Sequence, residues 1–236
     1  MPSSSDVEEF RRLSNDAVSL AQKDLRAFWN GLDREDPSTA RDALLEFMPA
    51  LNDQYGTISS AVAADWYDEL RESSSARGQY RATATGAVPA EQVQASVRYA
   101  AGALWADDVS PLFSHLVNIT DKFVKQAGRD TVARSVSGDR GATYCRVPTG
   151  TETCAFCLML ASRGPVYGGK IAAGGEGNKY HGDCDCVPTP SWSGKDLPDG
   201  YDLKALNDIY VRGVRSADGG STSAILAGIR QVSGSH

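Results

Sequence analysis

The first 136 residues alternate apolar and polar positions with a period of three to four, which is typical of α-helices that bury one face. One helix is predicted to begin near Asp6. Asp36-Pro37 marks the start of a second helix, because Asp is a favoured N-cap and Pro suits the first helical position. Pro89 and Ser110-Pro111 mark the starts of a third and a fourth. The predicted apolar face of the first helix comprises Phe10, Leu13, Ala17, Leu20, Ala21, Phe28 and Leu32.

The second helix has the most regular apolar pattern in the chain. Its apolar residues are 4, 3, 4, 3 and 4 positions apart, a heptad repeat that must pack against another helix: Leu44, Met48, Leu51, Tyr55, Ile58 and Val62. Pro49 lies inside this repeat and predicts a kink or break near residue 48, because Pro removes a helical hydrogen bond. The small, polar segment Ser73–Gly86 is predicted to be a loop. We expect residues 1–136 to form a helical domain, an antiparallel bundle or helical hairpins.

Beyond residue 137 the helical period gives way to Gly, Pro, Cys and short apolar runs. Residues 137–192 are interpreted as a Cys/His-rich module with one short helix and extended stretches, the last of which should end before Pro188. Residues 193–236 are predicted to hold a short helix near 203–212 and a tail rich in Gly and Ser that is flexible except for a turn or short helix at 224–229. The chain is thus assigned to the α+β class, mainly α.

Composition and charge narrow the functional classes. The chain is 41% hydrophobic and 23% charged, which argues against disorder, and its net charge of −6 does not favour a nucleic-acid binder. Lys122, Lys125 and Arg129 share one side of the fourth helix, but Asp121 and Asp130 lie beside them, so this side is interpreted as a solvated face of mixed charge.

No apolar run is long enough to span a membrane, and the polar N-terminus predicts no signal peptide. We therefore expect the chain to be made in a reducing cytoplasm. In that compartment cysteines act first as metal ligands or thiols and only second as disulfides.

The cysteines form two close-set groups. Cys154-x-x-Cys157 is followed by 23 residues and then by His181-x-x-Cys184-x-Cys186. Two local groups joined by a loop are what a tetrahedral site needs, and thiolates with one imidazole favour zinc. Such a metal would stabilise a module that is too small to bury much apolar surface.

Five candidate ligands compete for four positions. The set is either the four thiolates of Cys154, Cys157, Cys184 and Cys186, or it includes His181 with one of the two later cysteines. We favour participation of His181. Disulfide pairing and unligated thiols remain alternatives, and Cys145, which lies apart, is interpreted as a buried or free thiol.

The predicted metal site is structural rather than catalytic. A catalytic zinc keeps one position open for water and needs a nearby base. Asp183 and Glu176 are available, but four or five good ligands favour a closed site. We predict no catalytic residue and no organic cofactor.

The segment Arg146–Tyr167, followed by Tyr180–Pro188, resembles the MuF-like minor head proteins of tailed bacteriophages. The shared signature is Cys-x-x-Cys, a Gly before an aromatic or apolar strand, and then His-x-x-Cys-x-Cys, over about residues 146–192. This resemblance implies a minor capsid protein of the virion that takes part in head morphogenesis and associates with the portal. It places the protein in the head interior or at the portal vertex, after synthesis in the host cytoplasm.

The same resemblance implies portal and major capsid or scaffold proteins as partners, with packaged DNA as a further contact. The N-terminal helices offer a surface for self-association. The rival hypothesis is an enzyme, a capsid maturation protease or another zinc-dependent hydrolase, and it requires an open metal position or a reactive thiol. A zinc-ribbon nucleic-acid binder is a third hypothesis, and the acidic composition counts against it.

Overall fold

The computed structural model describes residues 2–150, 153–168, 184, 186–194 and 197–235. Within these ranges the chain is mainly helical with one small sheet, which confirms the predicted fold class. The helices are α1 (Ser4–Gly31), α2 (Pro37–Glu72), α3 (Ala90–Ala100), α4 (Ser110–Gly138), α5 (Ala155–Ala161), α6 (Leu203–Ser216) and α7 (Thr222–Ser233). A short 3-10 helix, Ala101–Trp105, follows α3, and the strands are β1 (Thr143–Val147) and β2 (Val187–Ser191).

Helices α1, α2 and α4 form the N-terminal bundle. Ring stacking between Phe10 and Trp66 (centroids 4.5 Å apart) and between Phe28 and Phe47 (3.9 Å) shows that α1 and α2 are antiparallel. Their connection is short, and Asp36 caps α2 as predicted by accepting the backbone N–H groups of residues 38 and 39.

Helices α2 and α4, in contrast, run parallel. The hydroxyls of Ser60 and Thr131 lie 2.8 Å apart, and the hydroxyl of Tyr67 donates to Asp139 over 3.1 Å, so residue numbers rise together along both helices. The intervening residues 73–89 return the chain along the bundle as the predicted loop. They are held there by side-chain contacts such as the backbone N–H of Gly86 donating to Ser60 Oγ over 2.9 Å.

The predicted heptad of α2 is only partly correct. Its first four members, through Tyr55, are buried, but Ile58 is 46% exposed. From Gly56 to Ala64 the buried residues of α2 are small, and Ser59 packs against Gly128 of α4. A Cβ at Gly128 would lie 2.8 Å from Ser59 Oγ, so close helix contact replaces the large apolar repeat.

Two further helix predictions are corrected. Pro49 does not break α2, which continues unbroken from residue 37 to residue 72. On α1, Leu20 is 54% exposed, whereas Val18 and Leu25 are buried. The face that α1 turns toward the bundle is therefore rotated from the one that periodicity selected.

The sheet joins the bundle to the cysteine module. Strands β1 and β2 are antiparallel, with Arg146 opposite Pro188 and Tyr144 opposite Pro190. Both prolines lie inside β2, contrary to the expectation that the stretch ends before residue 188. The backbone of Tyr144 accounts for the proline at residue 190. Its N–H donates to Tyr167 (2.8 Å) and its C=O accepts from Tyr167 (3.2 Å), on the side away from β2. Tyr144 therefore needs no N–H from residue 190.

The C-terminal region is more ordered than predicted, because the turn or short helix expected at 224–229 is part of a longer, packed helix. Residues 222–233 form α7, which packs against α6 and α5, and α6 extends to Ser216 rather than ending near 212. Gly213 and Gly228 let α6 and α7 approach closely, since a Cβ at Gly213 would lie 2.4 Å from Ile229 Cγ1.

One core cluster crosses the predicted domain boundaries. It brings Phe10 and Trp66 of the bundle together with Tyr144 and Tyr167 of the module and Ile229 of α7. The division into 1–136, 137–192 and 193–236 stays a prediction, and in this core the three segments pack on one another.

Candidate metal centre

Four cysteines from two distant parts of the sequence form one buried cluster. Cys154 is 7% exposed, Cys184 is 1% exposed, and Cys157 and Cys186 are fully buried. None of the cysteines forms a disulfide. The thiols of the four cysteines that sequence spacing grouped as candidate ligands are therefore together in space and shielded from water.

The Cys-x-x-Cys pair is positioned by the start of α5. Cys154 is the N-cap of this helix, and its sulfur accepts the backbone N–H of Cys157 over 3.4 Å. This hydrogen bond holds the Cys154 sulfur at the first turn of α5, and the buried Cys157 sulfur projects from the helix itself. Both therefore face the same space.

The second pair comes from the chain that leads into β2. The sulfurs of Cys157 and Cys184 are 3.4 Å apart, and those of Cys157, Cys184 and Cys186 all lie within 4.8 Å of one another. Pairing of β2 with β1 holds this chain beside α5, with Val187 opposite Val147.

These sulfurs could hold a metal ion. Zinc thiolate bonds of about 2.3 Å in a tetrahedron separate neighbouring sulfurs by about 3.8 Å. This separation lies between the 3.4 Å that separates the sulfurs of Cys157 and Cys184 and the 4.8 Å within which all three sulfurs lie. The donor set is all sulfur among the described residues of the cluster, which suits a soft or borderline ion such as zinc and not magnesium or calcium.

Two buried arginines accompany the sulfurs. Arg146 of β1 is 1% exposed, and its Nη2 lies 3.5 Å from the sulfur of Cys184 and 3.7 Å from that of Cys157. Arg129 of α4 is 5% exposed, and its Nη2 donates to the backbone carbonyl of Cys184. Arg129 from the bundle and Arg146 from the sheet thus each place a guanidinium group against the cluster.

The sulfurs perturb one another's acidity. Hydrogen bonding with Cys154, followed by bonding with Cys184 and Cys186, raises the pKa of the Cys157 thiol. The pKa of Cys184 is lowered, first by hydrogen bonds with Cys157 and Cys186 and further by the positive charges of Arg129 and Arg146. The cluster therefore favours at least one thiolate, the form that binds metals.

Cys145 is separate from the cluster. It lies in β1, fully buried, and its sulfur is 3.7 Å from the carbonyl oxygen of Thr189. Burial raises its pKa to about 12, so it stays a neutral thiol at physiological pH. This agrees with the interpretation of Cys145 as a buried thiol.

Three residues considered for the site lie outside the described residues: His181, the fifth candidate ligand, and Glu176 and Asp183, the acids considered as a base. Participation of His181 therefore stays a prediction. The four cysteines among the predicted ligands are brought together.

The arginines were missed or misinterpreted from the sequence. Arg129 was assigned to a solvated face, but it is buried against the module, whereas Lys125 pairs with Asp121 over 2.6 Å on the same helix. The available signal was weak: Arg146 stands between Cys145 and Val147 in an otherwise apolar strand.

Comparison with known protein families identifies the family of the chain that carries this cluster. A family model described as VG15 protein matches residues 1–213, which include the whole bundle and all four clustered cysteines. The chain belongs to the VG15 protein family. The match also includes most of α6 and stops short of α7, so the VG15 family model treats bundle, sheet and cysteine cluster as one unit.

A curated protein similar to this chain is the "Gene 15 protein" of Mycobacterium phage D29. It is 41% identical over 66 residues, which represent 26% of this chain and 24% of the relative. The aligned part thus spans about a quarter of the phage protein. No solved structure matches the chain. The VG15 match and this relative confirm a bacteriophage protein, as the cysteine motif indicated, and they do not name the MuF-like family.

Membrane insertion was also considered. Among the described helices, none combines the length and the apolar character that crossing a bilayer requires.

Proposed function

We propose that this chain is a minor capsid protein that acts in head morphogenesis of a tailed bacteriophage, with a structural zinc ion in its C-terminal module. Membership of the VG15 family and the phage relative support the general role. The MuF-like motif in residues 146–192 supports the finer assignment to the head.

The observation that carries the zinc proposal is the burial of four sulfurs in one cluster. The sulfurs of Cys157, Cys184 and Cys186 lie within 4.8 Å of one another, and the sulfur of Cys154 accepts the backbone N–H of Cys157, an arrangement that a bound ion would stabilise. A structural zinc of this kind contributes on the order of 10 kcal/mol to the folding of small modules.

The same burial favours a structural role over a hydrolase. A catalytic zinc must reach water and substrate, whereas the clustered sulfurs are between 0% and 7% exposed. If the capsid maturation protease hypothesis were correct, the purified chain would cleave the capsid precursor, and a chelator would stop that cleavage. We expect no cleavage with or without the chelator.

The partners follow from the proposed role. We propose that the N-terminal bundle docks on the portal protein or on major capsid or scaffold proteins, or associates with itself, and that the protein resides in the head interior or at the portal vertex. Contact with packaged DNA is compatible with this location, although the net charge of −6 makes it a minor contribution.

Two measurements test the two parts separately. Metal analysis of the purified chain should find one zinc per chain, and finding none would reject the zinc site. Sedimentation with the portal and the capsid proteins of the same phage should show co-migration with at least one of them. If the chain sediments alone in every mixture, the proposed head partners are wrong even if zinc is present.

A further inference from the structure

We propose that the cleft between residues 75–78, 140–141 and 192–193, here called the arginine cleft, binds the phosphate backbone of a nucleic acid through Arg77 and Arg140. This inference rests on the proposed contact with packaged DNA, and it assigns that contact to one place on the chain. It does not depend on the zinc site.

The arginine cleft lies where three separate segments of the chain meet. Its walls come from the loop after α2, the turn between α4 and β1, and the residues that follow β2. The cleft has a volume of about 710 Å³. Pockets for small molecules typically have volumes of about 300–1,000 Å³. The cleft is therefore large enough for a nucleotide unit of a longer strand.

A buried ion pair holds the three walls together. Arg71 Nε donates to the carboxylate of Asp139 over 2.8 Å. Arg71 Nη2 also donates to the backbone carbonyls of Arg77 and Gly78, each over 3.1 Å. From the third wall, Trp192 Nε1 donates to the same carboxylate over 2.7 Å. The cleft is thus formed before a ligand arrives, which lowers the entropic cost of binding.

The charged side chains that line the cleft, among the described residues, are two arginines. Arg77 and Arg140 are exposed, and within the described part of the chain neither guanidinium forms an ion pair or a hydrogen bond. Arg81 of the same loop, in contrast, pairs with Asp68 over 3.5 Å. The two arginines of the cleft therefore keep their N–H donors available for an anionic ligand.

A nucleic acid matches the cleft better than a single carboxylate does. One planar guanidinium can satisfy one carboxylate through two parallel hydrogen bonds, whereas successive backbone phosphates can each engage one arginine. The indole N–H of Trp192 is occupied by Asp139, so its ring serves as a wall of the cleft. An aromatic wall beside positive charges suits the sugar and base next to a phosphate.

A glycine follows each of the two arginines. Gly78 and Gly141 have φ angles of 75° and 86°, and no atom lies within 4 Å of the position that a Cβ would occupy. Glycine adopts this left-handed conformation without strain, and the missing side chain leaves room for a ligand to approach the backbone.

The overall charge explains why such a contact is local. A net charge of −6 repels a polyanion over much of the surface. A phosphate contact therefore needs unpaired arginines that lie close together, and the cleft supplies two of them.

The test uses the full-length chain and a fluorescein-labelled DNA duplex, with dissociation constants measured by fluorescence anisotropy at several salt concentrations. Arg77→Gln and Arg140→Gln should each weaken binding about tenfold, as the loss of one charged hydrogen bond does. Each should also reduce the slope of log affinity against log salt by about 1. The double variant should combine both effects.

Two further variants show whether the effect is specific. Arg77→Lys keeps the charge and loses the planar pair of donors, so it should keep the salt slope and bind with intermediate affinity. Arg98→Gln removes an exposed arginine of α3 that does not line the cleft, and it should keep both affinity and slope. Helical circular dichroism of all variants should equal that of the unmodified chain.

The possible failures can be told apart. If the unmodified chain does not bind the duplex at low salt, the proposed contact with DNA fails and this inference fails with it. If the chain binds but the double variant keeps its affinity and slope, DNA contacts another surface and the arginine cleft is not its site. If the double variant keeps its DNA affinity but no longer sediments with the portal or capsid proteins, the cleft docks an acidic protein segment, which overturns the assignment to phosphate.

Discussion

Around Leu44 and Leu112 the interior of the protein consists of aliphatic side chains from four helices, whereas around Cys157 it consists of sulfurs, tyrosines and an arginine. The first region is held by ordinary apolar burial along long helices. The second has short elements: β1 and β2 have five residues each and α5 has seven. These short elements bury apolar side chains in a core that they share with the bundle, and the proposed metal would add a stabilising contribution that the bundle does not need.

The two regions are nevertheless joined by polar contacts. Asp139, at the end of α4, accepts hydrogen bonds from Arg71 Nε at 2.8 Å, Trp192 Nε1 at 2.7 Å and the Tyr67 hydroxyl at 3.1 Å. Arg129 makes a second link from α4 to Cys184. The comparison therefore teaches that the module is fastened to the bundle by a shared core and by polar contacts, and that the proposed metal would stabilise the module further.

The largest expected effect is that of removing the metal. Cys184→Ala, or a strong chelator, should unfold the module, because a structural zinc contributes on the order of 10 kcal/mol in small zinc-dependent folds. The helical signal of the bundle should largely persist in circular dichroism, while hydrogen exchange in residues 143–168 becomes fast. Cys145→Ala is the matched cysteine control and should keep its metal. Unchanged protection of the module after complete chelation would contradict the proposed dependence on zinc.

A cavity created in the bundle should lower the stability of the chain without lowering its zinc content. Leu44 is fully buried, and Leu44→Ala should lower the free energy of unfolding by about 2–5 kcal/mol, as large-to-small core changes do. Its zinc content should equal that of the unmodified chain. Thermal denaturation with metal analysis checks both points, and loss of zinc from this variant would show that the two regions are not separately stabilised.

The packing of α6 on α7 offers a smaller test within the C-terminal region. Gly213→Ala would place a Cβ 2.9 Å from the Cα of Ile229, and such overpacking costs about 1–3 kcal/mol. Gly220→Ala, where no atom lies within 4 Å of the added Cβ, is the control. Chemical denaturation should separate the two variants, and equal stabilities would mean that the helices are not in close contact.

The smallest effect concerns the thiol that the site does not use. Burial raises the pKa of Cys145 to about 12, above an ordinary value of about 8.5. Its neutral form is favoured by folding, so this stabilisation is complete below pH 8.5 and is lost as the pH rises toward 12. Between pH 8.5 and 9.5 the unmodified chain should lose about 1 kcal/mol more stability than Cys145→Ala. Parallel pH profiles for the two chains would show that residue 145 is not a buried titrating thiol.

The sequence predicted those features that depend on local spacing. Each cysteine pair is a local unit, because two residues separate Cys154 from Cys157 and one separates Cys184 from Cys186. Only the approach of the two pairs through the intervening loop had to be inferred. Helix starts at Asp36 and Pro89 were likewise local signals and were found.

Features that depend on distant contacts could not be predicted in this way. Arg129 is buried by a partner 55 residues away, and nothing in its own helix period distinguishes it from Lys125. Ile58 is exposed because the crossing with α4 uses the small residues beside it. Only a turn or short helix at 224–229 could be expected for α7, because the Gly- and Ser-rich composition does not reveal that Gly228 allows this helix to pack on α6.

Zinc K-edge X-ray absorption of the chain, purified without added metal, tests the central claim most directly. We predict one zinc per chain with at least three sulfur neighbours at about 2.3 Å. A sample without zinc, or a coordination shell of oxygen and nitrogen, would contradict the proposal that the buried cysteines hold the module together through a metal ion.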